Sequence, residues 1–216
     1  MIQKTVNGQS FEQHIAYLRR RLERPLPGTA AQLTMAPIYR QDPSMATIEG
    51  KPCREAGVLV LFFPKDEVPT LLLTVRRADL KAHPGQISFP GGRREPNETL
   101  RETALREAHE EVGLPPADVN VLGTLTPLYI PPSNFCVHPF VAMTPTAPAL
   151  HPQDDEVEAV LCVSLPHLLD PQTRRREPWM LHGRKIEVPF LDVEGHKVWG
   201  ATAMMLAELL ALFPLE

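Results

Sequence analysis

Apolar positions recur along this chain with a helical period at its start and as short runs later. From Phe11 to Leu26, Phe11, Ile15, Leu18 and Leu22 share one side of a helical wheel while Arg19, Arg20 and Arg21 fall elsewhere. That spacing predicts an amphipathic helix with Ser10 at its N-cap. Residues 27–52 are Pro-rich and carry no period, so they read as an irregular segment. At Ala56 the pattern changes. Gly57 to Phe63 predicts a buried strand, closed by Pro64 and the turn-like Lys65-Asp66-Glu67, with Thr70 to Arg76 as the second arm of a hairpin. A loop from Arg77 to Gly85 leads to a short strand, Gln86 to Phe89. Further strands are expected at Val119–Leu128, Phe135–Thr144 and Val157–Val163, a short helix at Leu165–Leu169, and a hairpin of Ile186–Leu191 and Lys197–Trp199 turned at Glu194-Gly195. Ala201 to Phe213 is helical and apolar almost all round except Glu208, which argues burial within the monomer or at a homodimer interface. Residues 1–55 are expected as a helix and Pro-rich extension packed on a body of residues 56–216.

The segment between the early strands and Val119 is the most informative. Pro90-Gly91-Gly92 is turn chemistry, because proline fixes φ and glycine tolerates the left-handed region. Thr99 followed three residues on by Glu102 has the form of a capping box, and Gly113 before Pro115-Pro116 is a stop signal. Between them Leu100, Ala104, Leu105, Ala108 and Val112 form one apolar arc. Glu107, Glu110 and Glu111 cluster at its edge with i, i+3, i+4 spacing, so three like charges converge and repel. A hard divalent cation offsets that repulsion, and Mg²⁺ suits a few carboxylates while keeping positions for water and substrate phosphate.

The whole-chain numbers narrow the partners. A net charge of -4 over 216 residues, with a pI near 6.1, gives no electrostatic footprint for nucleic acid. The cluster Arg174-Arg175-Arg176 reads as a solvated loop. No apolar run is long enough to span a bilayer, and the N-terminus lacks the apolar core of a signal peptide. Cys53, Cys136 and Cys162 are far apart and odd in number, making neither a C-x-x-C pair nor a disulfide framework; a reducing cytoplasm is the simplest setting.

Gly92, Glu98, Arg106-Glu107, Ala108, Glu110-Glu111, Gly113 and Leu114, all in register, resemble the Nudix box. The preceding stretch, Leu72, Leu73, Thr74, Arg76, Leu80, His83, Gly85, Gln86, Phe89, Pro90, Gly91 and Gly92, resembles the signature of the coenzyme A pyrophosphatase branch of that family. It departs from that signature at Arg77, where serine is usual, and at Lys81, where arginine is usual. Lysine keeps the charge but lacks the two-pronged fork that arginine offers a phosphate. The resemblance, with Val198-Trp199-Gly200-Ala201-Thr202 near the end, runs from about Ala56 to Phe213. It implies a Nudix-type α/β/α sandwich with a mixed central sheet.

It also implies a chemistry: Mg²⁺-dependent hydrolysis, with Mn²⁺ as the substitute ion, of the diphosphate in a small nucleoside diphosphate derivative. By resemblance Glu107 and Glu111 hold the metal, Glu110 is a further ligand or positions water, and the Gly91 carbonyl is another ligand. Glu98 and Arg106 orient those carboxylates. The general base is expected outside the box, at Glu156 in the acidic loop His151–Glu158, with Asp155 and Glu158 as alternatives. Arg76, Arg77 and Lys81 form a basic cluster for a second phosphate, with His83, Gln86 and Phe89 completing the binding residues. Coenzyme A or an acyl-coenzyme A is the expected substrate. ADP-ribose, a dinucleotide or a damaged nucleoside triphosphate is the alternative, and a non-catalytic ligand sensor is disfavoured by the complete set Glu107, Glu110 and Glu111.

Overall fold

The computed structural model describes residues 10–79, 85–153, 155–181 and 183–213. The chain opens with helices α1 (Phe11–Leu22) and α2 (Gly28–Leu33), then strands β1 (Arg54–Lys65), β2 (Val68–Arg76), β3 (Ile87–Ser88) and β4 (Gly91–Arg93). Helix α3 (Leu100–Val112) is followed by β5 (Asn120–Thr124), β6 (Leu128–Ile130), β7 (Phe135–Met143) and β8 (Val157–Ser164). The last third holds α4 (Leu165–Leu169), β9 (Arg174–Leu181), β10 (Arg184–Val193), β11 (His196–Trp199) and α5 (Gly200–Leu210).

The central sheet has the order β3-β2-β1-β7-β5, with β4 added on β1, β6 on β7 and β8 on β2. Only β1 and β7 run parallel among the described pairs, so the sheet is mixed. The β1–β2 hairpin turns at Asp66 and Glu67, whose φ of 50° and 64° match the strand twist in a two-residue loop.

Strand alternation splits the core into two layers. Leu59, Leu61, Phe63 and Leu72 face Ala104, Ala108 and Val112 of α3. Val60, Phe62, Leu71, Leu73 and Val75 face the opposite way, toward Met204, Leu206 and Leu209 of α5 and Phe11, Ile15 and Leu18 of α1. Helices therefore cover both faces of the sheet, as the resemblance implied. The apolar girth of α5 is buried within the single chain. Ser10 and Thr99 both cap their helices in complete capping boxes, and Gly113 ends α3 in the left-handed region.

Three expectations are corrected. Arg174, Arg175 and Arg176 lie not in a loop but in β9, paired with β10 to make a second sheet of order β11-β10-β9. Their run of charges masked a strand whose alternation is weak because none of its residues is fully buried. Val119–Leu128 is not one strand: it breaks between Thr124 and Leu128, where Thr126 turns inward to Glu208. Cys53 and Cys136 form a disulfide, with Cα atoms 5.7 Å apart. The parallel crossover from β1 to β7 brings together residues 83 apart in sequence, a proximity that cysteine spacing cannot reveal. Cysteine usage therefore no longer argues for a reducing compartment.

Candidate active site

Two close approaches position the box helix. A Cβ on Gly57 would lie 2.3 Å from the carbonyl oxygen of Leu100, so only glycine lets β1 take the first turn of α3 so closely. A Cβ on Gly92 would fall 2.4 Å from the carboxylate of Glu107, so β4 leaves a space that this carboxylate fills.

Glu98 anchors the cluster from outside. It accepts two bonds from Arg106, at 3.1 Å from Nε and 3.0 Å from Nη2, one from the Glu95 N–H at 2.7 Å and one from Thr103 Oγ1 at 2.8 Å. The Arg106 bonds, with those donors, pull its carboxyl down to about 2. Arg106 then reaches Glu107 and Glu110, each at 2.9 Å from Nη1, and donates Nη2 to the carbonyl of Arg93 at 3.2 Å. The structure thus brings Glu98 and Arg106 together with Glu107 and Glu110.

Glu111 stands apart in character. It is 7% exposed, and Oε2 has no hydrogen-bond partner although it is buried. Burial first, then the charges of Glu156 and Glu107, push its carboxyl up to about 8, against the opposing Gly91 N–H and Arg76. Glu107 is also raised, chiefly by burial. Glu156 thus lies near both, although its sequence position is far from the box.

The acidic loop reaches α3 because its backbone docks there. His151 N–H donates to the Val112 carbonyl and Gln153 N–H to the Glu111 carbonyl, both at 2.8 Å. On its other side β8 pairs with β2, which brings Glu156 to 2.6 Å from Arg76. Asp155 and Glu158 make their field felt at Arg77 instead.

The binding residues divide. Arg76, Gln86 and Phe89 line a cavity of about 580 Å³ together with Gly91, Gly92 and Arg93. Arg77 makes a two-pronged pair with Asp79, at 2.9 and 2.7 Å, and is not among the lining residues. Lys81 and His83 lie outside the described residues. The cavity also has walls that sequence reasoning missed: Tyr39 and Arg40 from the extension, Ile130 and Phe135 from the sheet, and Trp199 and Met205 near the end. No period or motif marks Tyr39 or Arg40, because they sit in the irregular segment.

An NUDIX domain model matches residues 52–182, more than half of the chain. The chain belongs to the Nudix family. It is similar to the protein called Uncharacterized Nudix hydrolase NudL of Photorhabdus laumondii subsp. laumondii, at 38% identity over 72% of this chain and 83% of that one. The protein of the same name from Yersinia enterocolitica is 39% identical over 71% of this chain and 78% of its own length. In fold it is similar to the MutT/nudix family protein from Enterococcus faecalis, with a TM-score of 0.50 and 18% identity over 93% of this chain and 73% of that one. This Nudix chain is accordingly a hydrolase acting on diphosphate linkages.

A divalent cation can be tested against the residues present. Among the described residues no three His, Cys, Asp or Glu side chains already converge as a coordination shell. Arg106 holds two of the carboxylates to itself. The buried oxygen of Glu111 without a donor, with Glu107 and Glu156 close enough to raise its pKa, is nonetheless the setting that a cation offsets. The donor set, all oxygen, fits a hard ion.

Proposed function

We propose that this Nudix hydrolase cleaves the diphosphate linkage of coenzyme A or an acyl-coenzyme A, giving 3′,5′-ADP and 4′-phosphopantetheine or its acyl form. One observation carries the reading. The signature residues Arg76, Gln86, Phe89, Gly91 and Gly92 all line one cavity, and two of these glycines also touch the carboxylate cluster. A substrate seated in that cavity can present its diphosphate at β4, beside Glu107 and Glu111. The volume of about 580 Å³ suits a nucleotide-sized group.

In this reading Glu107 and Glu111 hold Mg²⁺ or Mn²⁺, with Glu110 and the Gly91 carbonyl as further ligands. When bound, the ion neutralises the diphosphate and lowers the pKa of the attacking water. Glu98 fixes Arg106, and Arg106 fixes Glu107 and Glu110, so the ligands are oriented before substrate arrives. Glu156 takes the proton of the attacking water, and its contact with Arg76 couples that base to the phosphate-binding wall. Arg76 alone of Arg76, Arg77 and Lys81 is described at both the cavity and the cluster. The charge left on the departing phosphate is met by Arg76.

A panel of coenzyme A, acetyl-coenzyme A, ADP-ribose, a diadenosine polyphosphate and an oxidised nucleoside triphosphate, with products weighed by mass spectrometry, tests this. Release of 3′,5′-ADP from coenzyme A at the highest kcat/KM of the panel is the expected result. Turnover of ADP-ribose or the dinucleotide with coenzyme A untouched overturns it.

A further inference from the structure

The cavity carries a charge that the reaction at β4 does not use. Arg40, from the extension, is 5% exposed and lines the chamber. Its Nη2 donates to the Tyr129 carbonyl at 2.9 Å, while its Nε is buried with no hydrogen-bond partner. The cavity's lining includes the apolar Val58, Ile130, Phe135, Val137, Trp199 and Met205. Arg40, Arg76 and Arg93 all line the cavity, and no Asp or Glu does among the described residues. Of these, Arg76 is paired with Glu156. Arg40 has no carboxylate within salt-bridge distance among the described residues, and burial lowers its guanidinium below its ordinary pKa.

A buried guanidinium with one neutral acceptor is a costly arrangement unless an anion arrives with the ligand. The extension holds it in place by means unrelated to that need. Tyr129 N–H donates to the Ala46 carbonyl at 2.7 Å, and Glu208 of α5 accepts from Gly28 N–H and Gln32 Nε2 at 3.1 and 2.8 Å. Arg40 is thus fixed in the wall before any ligand binds.

We propose that Arg40 is a specificity residue that receives a phosphomonoester carried by the substrate in addition to the diphosphate that is cleaved. This rests on the proposed binding of a nucleoside diphosphate derivative in this cavity and extends it to a class: diphosphates bearing a further phosphate on the same molecule. A charged oxygen in the cavity offsets the guanidinium charge, and an uncharged ribose hydroxyl does so only weakly. The extension, rather than the catalytic box, then makes the choice between phosphorylated and unphosphorylated relatives of one substrate.

The test uses two matched pairs, coenzyme A with its dephospho form and the nicotinamide dinucleotide with and without a 2′-phosphate. Wild type is expected to favour the phosphorylated member of the hydrolysed pair by about tenfold or more, through KM. Arg40→Gln, which removes the guanidinium, should erase that preference, lowering kcat/KM for the phosphorylated member about tenfold more than for the unphosphorylated one. No preference in wild type overturns the proposal, as does a preference that survives in Arg40→Gln. If Arg40→Gln fails to fold, calorimetry on wild type decides: 3′,5′-ADP should bind about tenfold more tightly than 5′-AMP, and equal affinities overturn the proposal. The two readings fail separately. An Arg40-dependent preference confined to the dinucleotide pair leaves this inference standing and removes coenzyme A. Hydrolysis of both coenzyme A forms with equal kcat/KM does the reverse.

Discussion

Two buried glutamates on two helices of this chain are opposites. Glu208, on α5, is 0% exposed and surrounded by donors: Gly28 N–H, Gln32 Nε2, and the N–H and Oγ1 of Thr126, with the Thr126 hydroxyl at 2.6 Å. Glu111, on α3, is nearly as buried, yet one of its oxygens has no donor and its neighbours include Glu107 and Glu156. The first is a tie between the extension, the sheet and the last helix. The second is a carboxyl whose partners in the protein do not offset its burial and its acidic neighbours. Burial of a carboxylate thus marks architecture when its donors are supplied and a site when they are withheld.

The largest expected effect breaks the second member. Glu111→Gln should reduce turnover at saturating Mg²⁺ by about 10³-fold or more, because a charge worth several kcal/mol in the transition state loses its seat. Above pH 8, where Glu111 is ionised, its melting temperature without metal should be unchanged or higher, since one member of a repelling set is neutralised. Paired kinetics and thermal melts check both. Glu208→Ala should do the reverse: a loss of about 3 kcal/mol in stability by urea unfolding, from donors stranded in the interior, with near-normal kcat for folded protein. A smaller perturbation acts through shape alone. In Gly92→Ala the new Cβ displaces the end of a flexible side chain, Glu107, so unfolding should shift by less than about 1 kcal/mol while turnover falls by about 10²-fold.

The pH dependence sharpens the contrast further. In the metal-free protein Glu111 titrates near 8, above the ordinary 4.5 of a glutamate, so the native state holds its proton more tightly than the unfolded chain. That contribution to stability is fully present below about 4.5 and is lost as pH rises through 8. Thermal melts of metal-free wild type should therefore show a decline between these limits, and Glu111→Gln should remove that part of it. Glu98 carries the opposite sign: its contribution is present above the ordinary value of 4.5 and is lost as pH falls toward 2. The smallest effect expected is at the cap of α3, where Thr99→Ala should cost about 1 kcal/mol with little change in turnover.

What the sequence disclosed follows from the range of each interaction. The capping box at Thr99, the left-handed Gly113 and the convergence of Glu107 with Glu111 are set within a turn or two of one helix, so spacing alone reveals them. The hairpin turn at Asp66-Glu67 is local in the same sense. Glu156 was reachable only as one acidic residue among several, because its meeting with Arg76 depends on the register of β8 on β2. Arg40, the Cys53–Cys136 bond and the donors around Glu208 were not legible. Each joins the body of the chain to an irregular extension that itself carries no periodic signal.

The central claim is that the orphaned carboxylate of Glu111 is the seat of a divalent cation. Titration of Mn²⁺ into wild type, Glu111→Gln and Glu208→Gln at pH 8, followed by the electron paramagnetic resonance signal of free Mn²⁺, tests it most directly. Wild type and folded Glu208→Gln should bind the ion with equal affinity, and Glu111→Gln should bind it at least about tenfold more weakly. Equal binding by wild type and Glu111→Gln, or no binding by wild type, would contradict the claim.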